Sequence, residues 1–449
     1  MSTQAPPIVS LQAPKDVSLN DIETELNQIW QMYNESDTSA GATRATTFTF
    51  VVYEPEETQQ LLSALGFYQG PIDGITGPLT RNALRQAQEQ YKLPVNGKAD
   101  TVTLTRLKQE LELHTNGNGD YHLNISGNHQ GYVVADAISA TNPCRIIALC
   151  PHAGADRGVQ AQVSAYCPMD KKNRNTLICC EYITISGTQE ALERTGGLIS
   201  ELVLSDLPKY LWWKATPDQN NALFKRLTNN STSIIFDSCA FSEPLTDLLG
   251  MQSLIENGMT VTDLNWQRIA PWQELTAEAF DPPEKRASIQ DIDQVSINYE
   301  KGNPSQAFLF LGWFASRLNW KPVSFVQEGG DYDLMRIQFV NKDQHPIEVE
   351  LAGIPVADWG EIPGDLDALK LSSTNPNSQC GIIVCSETSG CMRLESGGGA
   401  QNYEIMQVLP LTDQKAEFLL SQQLKRWGRD MLFEESLAIT AQILRSDSK

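Results

Sequence analysis

Three cysteines near the C-terminus, Cys380, Cys385 and Cys391, have the spacing in this 449-residue chain that most readily supports chemistry. Residues 381–385 (GIIVC) and 391–394 (CMRL) flank the polar segment Ser386-Glu387-Thr388-Ser389-Gly390, a pattern that predicts a β-hairpin. In that hairpin Cys385 and Cys391 would face each other, and directly opposed Cα atoms lie about 4.5–5.5 Å apart, within disulfide range. Cys380 is an odd number of positions from Cys385, which places it on the other sheet face. An exposed hairpin tip suits thiol exchange. A regulatory disulfide and two reduced thiols that sit opposite both stay open. A zinc centre is disfavoured, because four ligands are needed and the nearest histidine, His345, is distant in sequence.

Two other stretches invite a chemical reading. Cys150-Pro151-His152-Ala153-Gly154-Ala155-Asp156-Arg157 follows an expected strand, and ligands of open α/β sheets bind beyond the carboxyl ends of strands. His152, Asp156 and Arg157 would then serve a small anionic ligand of a sugar-phosphate or nucleotide enzyme. No nucleophile motif, phosphate loop or dinucleotide fingerprint accompanies them, so a solvent-exposed loop is the favoured reading and no catalytic residue is assigned. The run Lys209-Tyr210-Leu211-Trp212-Trp213 reads first as a core strand. Its alternative is a partner-binding patch through Tyr210, Trp212 and Trp213, because Trp and Tyr are enriched at binding hot spots. No cofactor or metal is expected.

Composition narrows the partners. The net charge is −21 and the pI about 4.7. A field of that sign disfavours nucleic acid and anionic membranes. The first 15 residues lack a basic segment followed by an apolar one, which predicts a cytoplasmic protein. Nine cysteines in a chain this long read as reduced thiols, with one or two that switch.

The elements that must position these residues fall into an α/β part and an α+β part. Residues 1–16 read as a flexible tail, and 17–53 as a helix and a strand of the α/β domain. Residues 54–115 form a helical module, 116–130 a Gly- and Asn-rich linker, and 131–280 the α/β domain proper, a mixed sheet with covering helices. Residues 281–303 read as a connection. Residues 304–449 are the C-terminal α+β domain, an antiparallel sheet with helices. Cys144, Cys150, Cys179 and Cys180 read as structural thiols buried as small apolar groups.

The module carries an internal repeat. Asp73-Gly74-Ile75-Thr76-Gly77-Pro78-Leu79-Thr80 and Asn96-Gly97-Lys98-Ala99-Asp100-Thr101-Val102-Thr103 each join a Gly turn to a Thr, of which Thr80 reads as the N-cap of the second helix and Thr103 lies near the start of the third. The first octet resembles the D-G-x-x-G-x-x-T signature of the peptidoglycan-binding-like helical module. These are folding requirements, so they report a three-helix fold rather than a ligand, and a spacer or docking role fits a non-exported chain better than murein binding.

A second resemblance spans most of residues 20–445. The early helix 21–33, the strand Asn142-Pro143-Cys144-Arg145-Ile146-Ile147, the segment 195–213 ending Leu-Trp-Trp and the strand end Asp237-Ser238 follow one another as in the glucose-6-phosphate dehydrogenase assembly protein family, OpcA. With its helical module the chain resembles the photosynthetic-bacterial form. The resemblance implies a non-catalytic partner that binds glucose-6-phosphate dehydrogenase and favours its active oligomer in the oxidative pentose phosphate pathway. It also implies redox control through thioredoxin, for which Cys385 and Cys391 would supply the disulfide.

Overall fold

The computed structural model describes residues 8–35, 41–44, 47–55, 57–68, 78–115, 142–152, 156–168, 176–204, 206–219, 221–241, 243–283, 285–355, 362, 364–375, 378, 380–387, 391–397, 403–410, 416–426 and 428–446. The chain divides into two compact units, one built mainly from residues 1–236 and one mainly from 243–419 and 428–449.

The first unit contains β1 (Ile8–Val17), α1 (Ile22–Glu35), β2 (Gly41–Arg44), β3 (Thr49–Tyr53), α2 (Glu57–Ala64), α3 (Pro78–Gln90), α4 (Thr101–Thr115), β4 (Arg145–Pro151), β5 (Gln160–Pro168), β6 (Thr176–Gly187), α5 (Gln189–Leu202), β7 (Lys209–Trp213), α6 (Ala222–Asn229) and β8 (Ser233–Phe236). Its sheet runs β1-β5-β6-β4-β3-β7-β8, with β2 beside β6. The central strands β6, β4, β3, β7 and β8 are mutually parallel, while β5 and β1 join antiparallel. All five residues of β3 (TFVVY) are buried, as expected of a parallel strand covered on both faces. The covering helix α5 is N-capped by Thr188, whose side chain accepts from the Ala191 N–H.

The N-terminal segment differs from expectation. Residues 8–17 pair with β5 in the register Val9↔Cys167 and Val17↔Ala161, so the expected tail contributes an edge strand. Its irregular composition hid this, because edge pairing is set by the partner ladder and not by local periodicity.

The helical module has its own core of Leu61, Leu62, Leu84, Ala87, Leu104 and Leu107. The last Thr of each octet is read by a buried glutamine on an earlier helix. Gln59 donates to Thr80 Oγ1 at 3.2 Å and Gln88 to Thr103 Oγ1 at 3.0 Å. Gln88 Oε1 also accepts from the N–H groups of Asn96 and Gly97, at 3.0 and 2.8 Å, and so holds the second turn. Residues 73–77 of the first octet lie outside the described residues, as does the 116–130 linker.

The second unit contains α7 (Pro244–Glu256), β9 (Val261–Asp263), α8 (Leu264–Arg268), α9 (Ala270–Phe280), β10 (Gln294–Glu300), α10 (Ser305–Leu318), β11 (Lys321–Gly329), β12 (Leu334–Val340), β13 (Pro346–Ile354), β14 (Leu366–Ser372), β15 (Gly381–Glu387), β16 (Cys391–Gly397) and β17 (Tyr403–Pro410). Two helices, α11 (Ala416–Gln423) and α12 (Met431–Arg445), close the chain. The sheet order is β11-β12-β13-β10-β14-β15-β16-β17, antiparallel except for β10 against β13. Residues 281–303 are therefore not a mere connection: β10 is an interior strand, placed there because Val295, Ile297 and Tyr299 are buried. Helices α10 and α12 approach closely at Gly312, where an added Cβ would lie 2.3 Å from the Ser436 carbonyl oxygen.

Candidate functional site

The parallel strands of the first unit end in a row: Gly187 on β6, Pro151 on β4, Tyr53 on β3 and Trp213 on β7. β3 comes first in the chain, β4 lies on one side of it and β7 on the other, so the strand order reverses beside β3. In open α/β sheets that reversal opens the crevice that takes a nucleotide, with a Gly-rich loop following the first strand. Here β3 is followed by Glu54-Pro55-Glu56-Glu57, three carboxylates and a proline, and then by the helical module. Side chains of the protein itself stand at this reversal. The Tyr53 and Trp213 rings stack at 3.7 Å between centroids. Glu54, 2% exposed, pairs with Lys214 Nζ at 2.7 Å, and Lys214 also lies over the Trp212 ring at 4.7 Å. Burial, and then the Glu54 charge, push the Cys150 thiol well above its ordinary range. A phosphate would meet a buried carboxylate where it needs backbone donors.

Around His152 the described contacts tie the segment to β6 and α5. The His152 N–H donates to the Gly187 carbonyl at 2.9 Å. Asp156 is exposed and bonded to Arg194 at 2.6 Å; the Gly158 N–H and then Arg194 hold its carboxyl below the usual range. Residues 153–155 lie outside the described residues.

Tyr210, Trp212 and Trp213 are interior: they are 9%, 1% and 2% exposed. Phe48 meets the Tyr210 ring edge-on at 5.3 Å, and Phe224 meets Trp213 at 4.8 Å. The partner-binding alternative for these residues gives way to the core-strand reading, because β7 lies between β3 and β8 and Trp213 packs on Phe224 of α6.

The cysteine geometry is also corrected. The β15–β16 register sets Cys385 opposite Arg393 and Cys391 opposite Glu387, so the two are diagonal rather than directly opposed. Diagonal neighbours in a ladder sit about 7–8 Å apart, beyond the usual disulfide span. The side chains of Cys385 and Cys391 lie outside the described residues. Cys380 is buried. A disulfide instead joins Cys167 and Cys179, on β5 and β6, with Cα atoms 4.2 Å apart. Sequence reasoning missed it, although both cysteines lay in expected strands; what it lacked was that these strands pair antiparallel, with Tyr166 opposite Cys180. Cys180 takes the other side of the strand, where its Sγ accepts from the Cys144 N–H at 3.4 Å.

Two segments that carried the family resemblance prove to hold buried charge networks. In the first unit, Arg145 is fully buried; its Nε bonds Glu181 at 2.8 Å, and its guanidinium also pairs with Glu23 and donates to the Leu202 carbonyl. Trp30 donates to the same Glu181 at 2.6 Å. In the second unit, Asp237 binds Arg268 through both oxygens, at 2.5 and 2.8 Å. The Ser238 N–H donates to Asp263, and Asn265 donates to the Ser238 hydroxyl.

Comparison with known proteins agrees with this picture. Residues 135–253 match the family described as glucose-6-phosphate dehydrogenase subunit N-terminal domain, and residues 259–437 match the corresponding C-terminal domain. The OxPP cycle protein OpcA of Nostoc punctiforme is 59% identical over 99% of this chain and 97% of its own length. The chain belongs to the OpcA family of glucose-6-phosphate dehydrogenase assembly proteins. Its OpcA relative from Synechocystis is 54% identical over 99% of this chain and 95% of that protein. Residues 53–107 match a peptidoglycan binding domain family, as the octet indicated. An oxidoreductase structure from Sinorhizobium meliloti superposes with a TM-score of 0.36 and 12% identity, covering 57% of this chain and 81% of the other, a distance at which the likeness says nothing of activity. Among the described residues no helix is long and apolar enough to cross a membrane.

Proposed function

We propose that this OpcA-family chain is a non-catalytic assembly factor and allosteric activator of glucose-6-phosphate dehydrogenase, acting in the cytoplasm on the oxidative pentose phosphate pathway. The dehydrogenase as partner follows from family membership over the full length. The non-catalytic reading is carried by one observation: the crevice at the strand reversal is closed by the Glu54–Lys214 pair and the Tyr53–Trp213 stack. Such a protein activates only by binding the active dehydrogenase more tightly than the inactive one.

Redox control through thioredoxin and the Cys385/Cys391 pair belongs to the same proposal. The diagonal register requires β16 to slide by two residues against β15 before the sulfurs can meet. A two-residue slide keeps every side chain on its own sheet face, so it is compatible with the buried row. The helical module acts as a spacer or docking element.

The test is an assay of purified dehydrogenase with the full chain, either oxidised or reduced by thioredoxin. Activity that rises with added protein supports the reading. A dehydrogenase indifferent to the protein in both states overturns it. Should Cys385→Ser preserve the redox response, the Cys385/Cys391 assignment alone fails.

A further inference from the structure

The two sheets differ in how they are covered. In the sheet of the second unit, inward positions form a buried row, Phe325, Ile337, Val349, Val295, Leu371 and Ile382. The alternate positions face away from that core. One register row runs Arg336, Glu350, Ser296, Lys370, and the next begins Gln338, Glu348. Arg336, Gln338, Glu348 and Lys370 are exposed, and Ser296 and Glu350 half-buried, in the complete chain.

We propose that this outward face is the surface on which the dehydrogenase docks. The inference rests on the functional reading above and adds the place of contact. Size is the first argument. The five strands whose outward side chains are described, β11, β12, β13, β10 and β14, at ~4.8 Å spacing and about seven residues each at ~3.3 Å, make a patch of roughly 19 by 23 Å, on the order of 450 Å². That suits the small contact of a transient complex and falls below what a stable dimer buries. Chemistry is the second. The face is polar and of mixed sign: Arg336 is bonded to Glu350 at 3.0 Å and to Glu328 at 2.9 Å, and Lys370 stands across from Ser296. Charges already paired within the face leave short uncharged groups such as Ser296 near its middle, which suits the polar surface of a non-obligate protein partner. Net charge is the third. Two copies at −21 each repel, so a different protein is favoured over a second copy of this chain.

The experiment measures the affinity of the full chain for purified dehydrogenase, comparing wild type with Ser296→Arg and with Gln338→Arg. Lys225→Glu, on the exposed side of α6 in the first unit, serves as the control. The inference expects at least a tenfold rise in Kd for both face variants, with the control unchanged and thermal midpoints equal to wild type. Face variants that bind within twofold of wild type overturn it, while dehydrogenase binding by wild type still upholds the functional reading. A wild-type dimer that these variants convert to monomer also overturns it, by assigning the face to self-association. If the wild type does not bind the dehydrogenase, the functional reading falls and this inference with it.

Discussion

Lys214 reaches across the carboxyl ends of β7 and β3 to the buried carboxylate of Glu54, 2.7 Å away. The pair closes the crevice that a nucleotide-binding sheet would leave open. Removing only the lysine strands a buried charge, and breaking a buried pair in this way costs about 3–5 kcal/mol. The 20% exposure of the Lys214 side chain places Lys214→Ala at the low end, about 3 kcal/mol, in urea unfolding. The double change Glu54→Gln with Lys214→Met should recover most of that loss. A double variant no more stable than Lys214→Ala would show that the pair is not what stabilises this corner.

Arg145 offers a sharper contrast, because its two acidic partners differ in exposure. Glu181 is 1% exposed and Glu23 46%. Arg145→Ala should lower stability by about 3–5 kcal/mol, since Glu181 then lies buried without its countercharge. Glu23→Gln should cost less than about 1 kcal/mol, as a solvent-screened pair does. Guanidinium chloride unfolding of both variants checks the ordering, and equal losses would contradict it.

The same residues show what could be read in advance. Strand β3 was legible because TFVVY is uniformly β-branched, aromatic or apolar, and α5 because its apolar positions recur at helical spacing. The segment 142–147 carried the resemblance, but nothing in it marks Arg145 as a buried charge. Its burial depends on Glu181, 36 positions away, and on Glu23, 122 away, pairings that no local pattern encodes. Tyr210, Trp212 and Trp213 were ambiguous for a related reason: aromatic residues serve cores and interfaces alike, and only the neighbours of β7 decide. The direct opposition expected of Cys385 and Cys391 is not the register seen, which pairs Glu387 with Cys391 and Cys385 with Arg393. The ladder runs two residues further towards the turn than the sequence pattern indicates, which moves every cross-strand partner while keeping its face.

Cys167 and Cys179 are joined by a disulfide that closes a sequence separation of 12 residues between β5 and β6. Cross-links of about that length stabilise by about 2–4 kcal/mol, chiefly by restricting the unfolded chain. Cys167→Ser combined with Cys179→Ser should therefore lower the thermal midpoint, and peptide mapping of the unreduced wild type should recover 167 and 179 on linked fragments. Because Val9 pairs with Cys167, amide exchange in Ile8–Val17 should quicken in the double variant. Unlinked fragments from protein prepared without reductant would show that the cysteines stay as thiols.

Asp263 gives the second unit a pH dependence of definite sign. Its Oδ1 accepts from the N–H groups of Ser238 and Asn265, while Oδ2 meets no protein donor among the described residues. Burial, and then the neighbouring Asp237 charge, push its carboxyl up to about 6 from an ordinary 3.8. The folded state thus binds more protons than the unfolded chain between these values. This group's contribution makes the unit more stable as pH falls from about 6 towards 4, and costs up to about 3 kcal/mol above pH 6. Asp237 works in the opposite sense. Burial raises its carboxyl but the Arg268 guanidinium outweighs this, so its stabilising contribution is full at higher pH and is lost only in acid, below the ordinary carboxylate range. The window between about pH 4 and 6 therefore belongs to Asp263. Asp263→Asn keeps an oxygen for the two N–H groups and removes the charge. Urea unfolding at pH 4.5, 6 and 7.5 should show the variant gaining on wild type as pH rises, with a crossover in stability difference centred between pH 4 and 6. A stability difference that does not change with pH would mean that Asp263 does not titrate there in the folded protein.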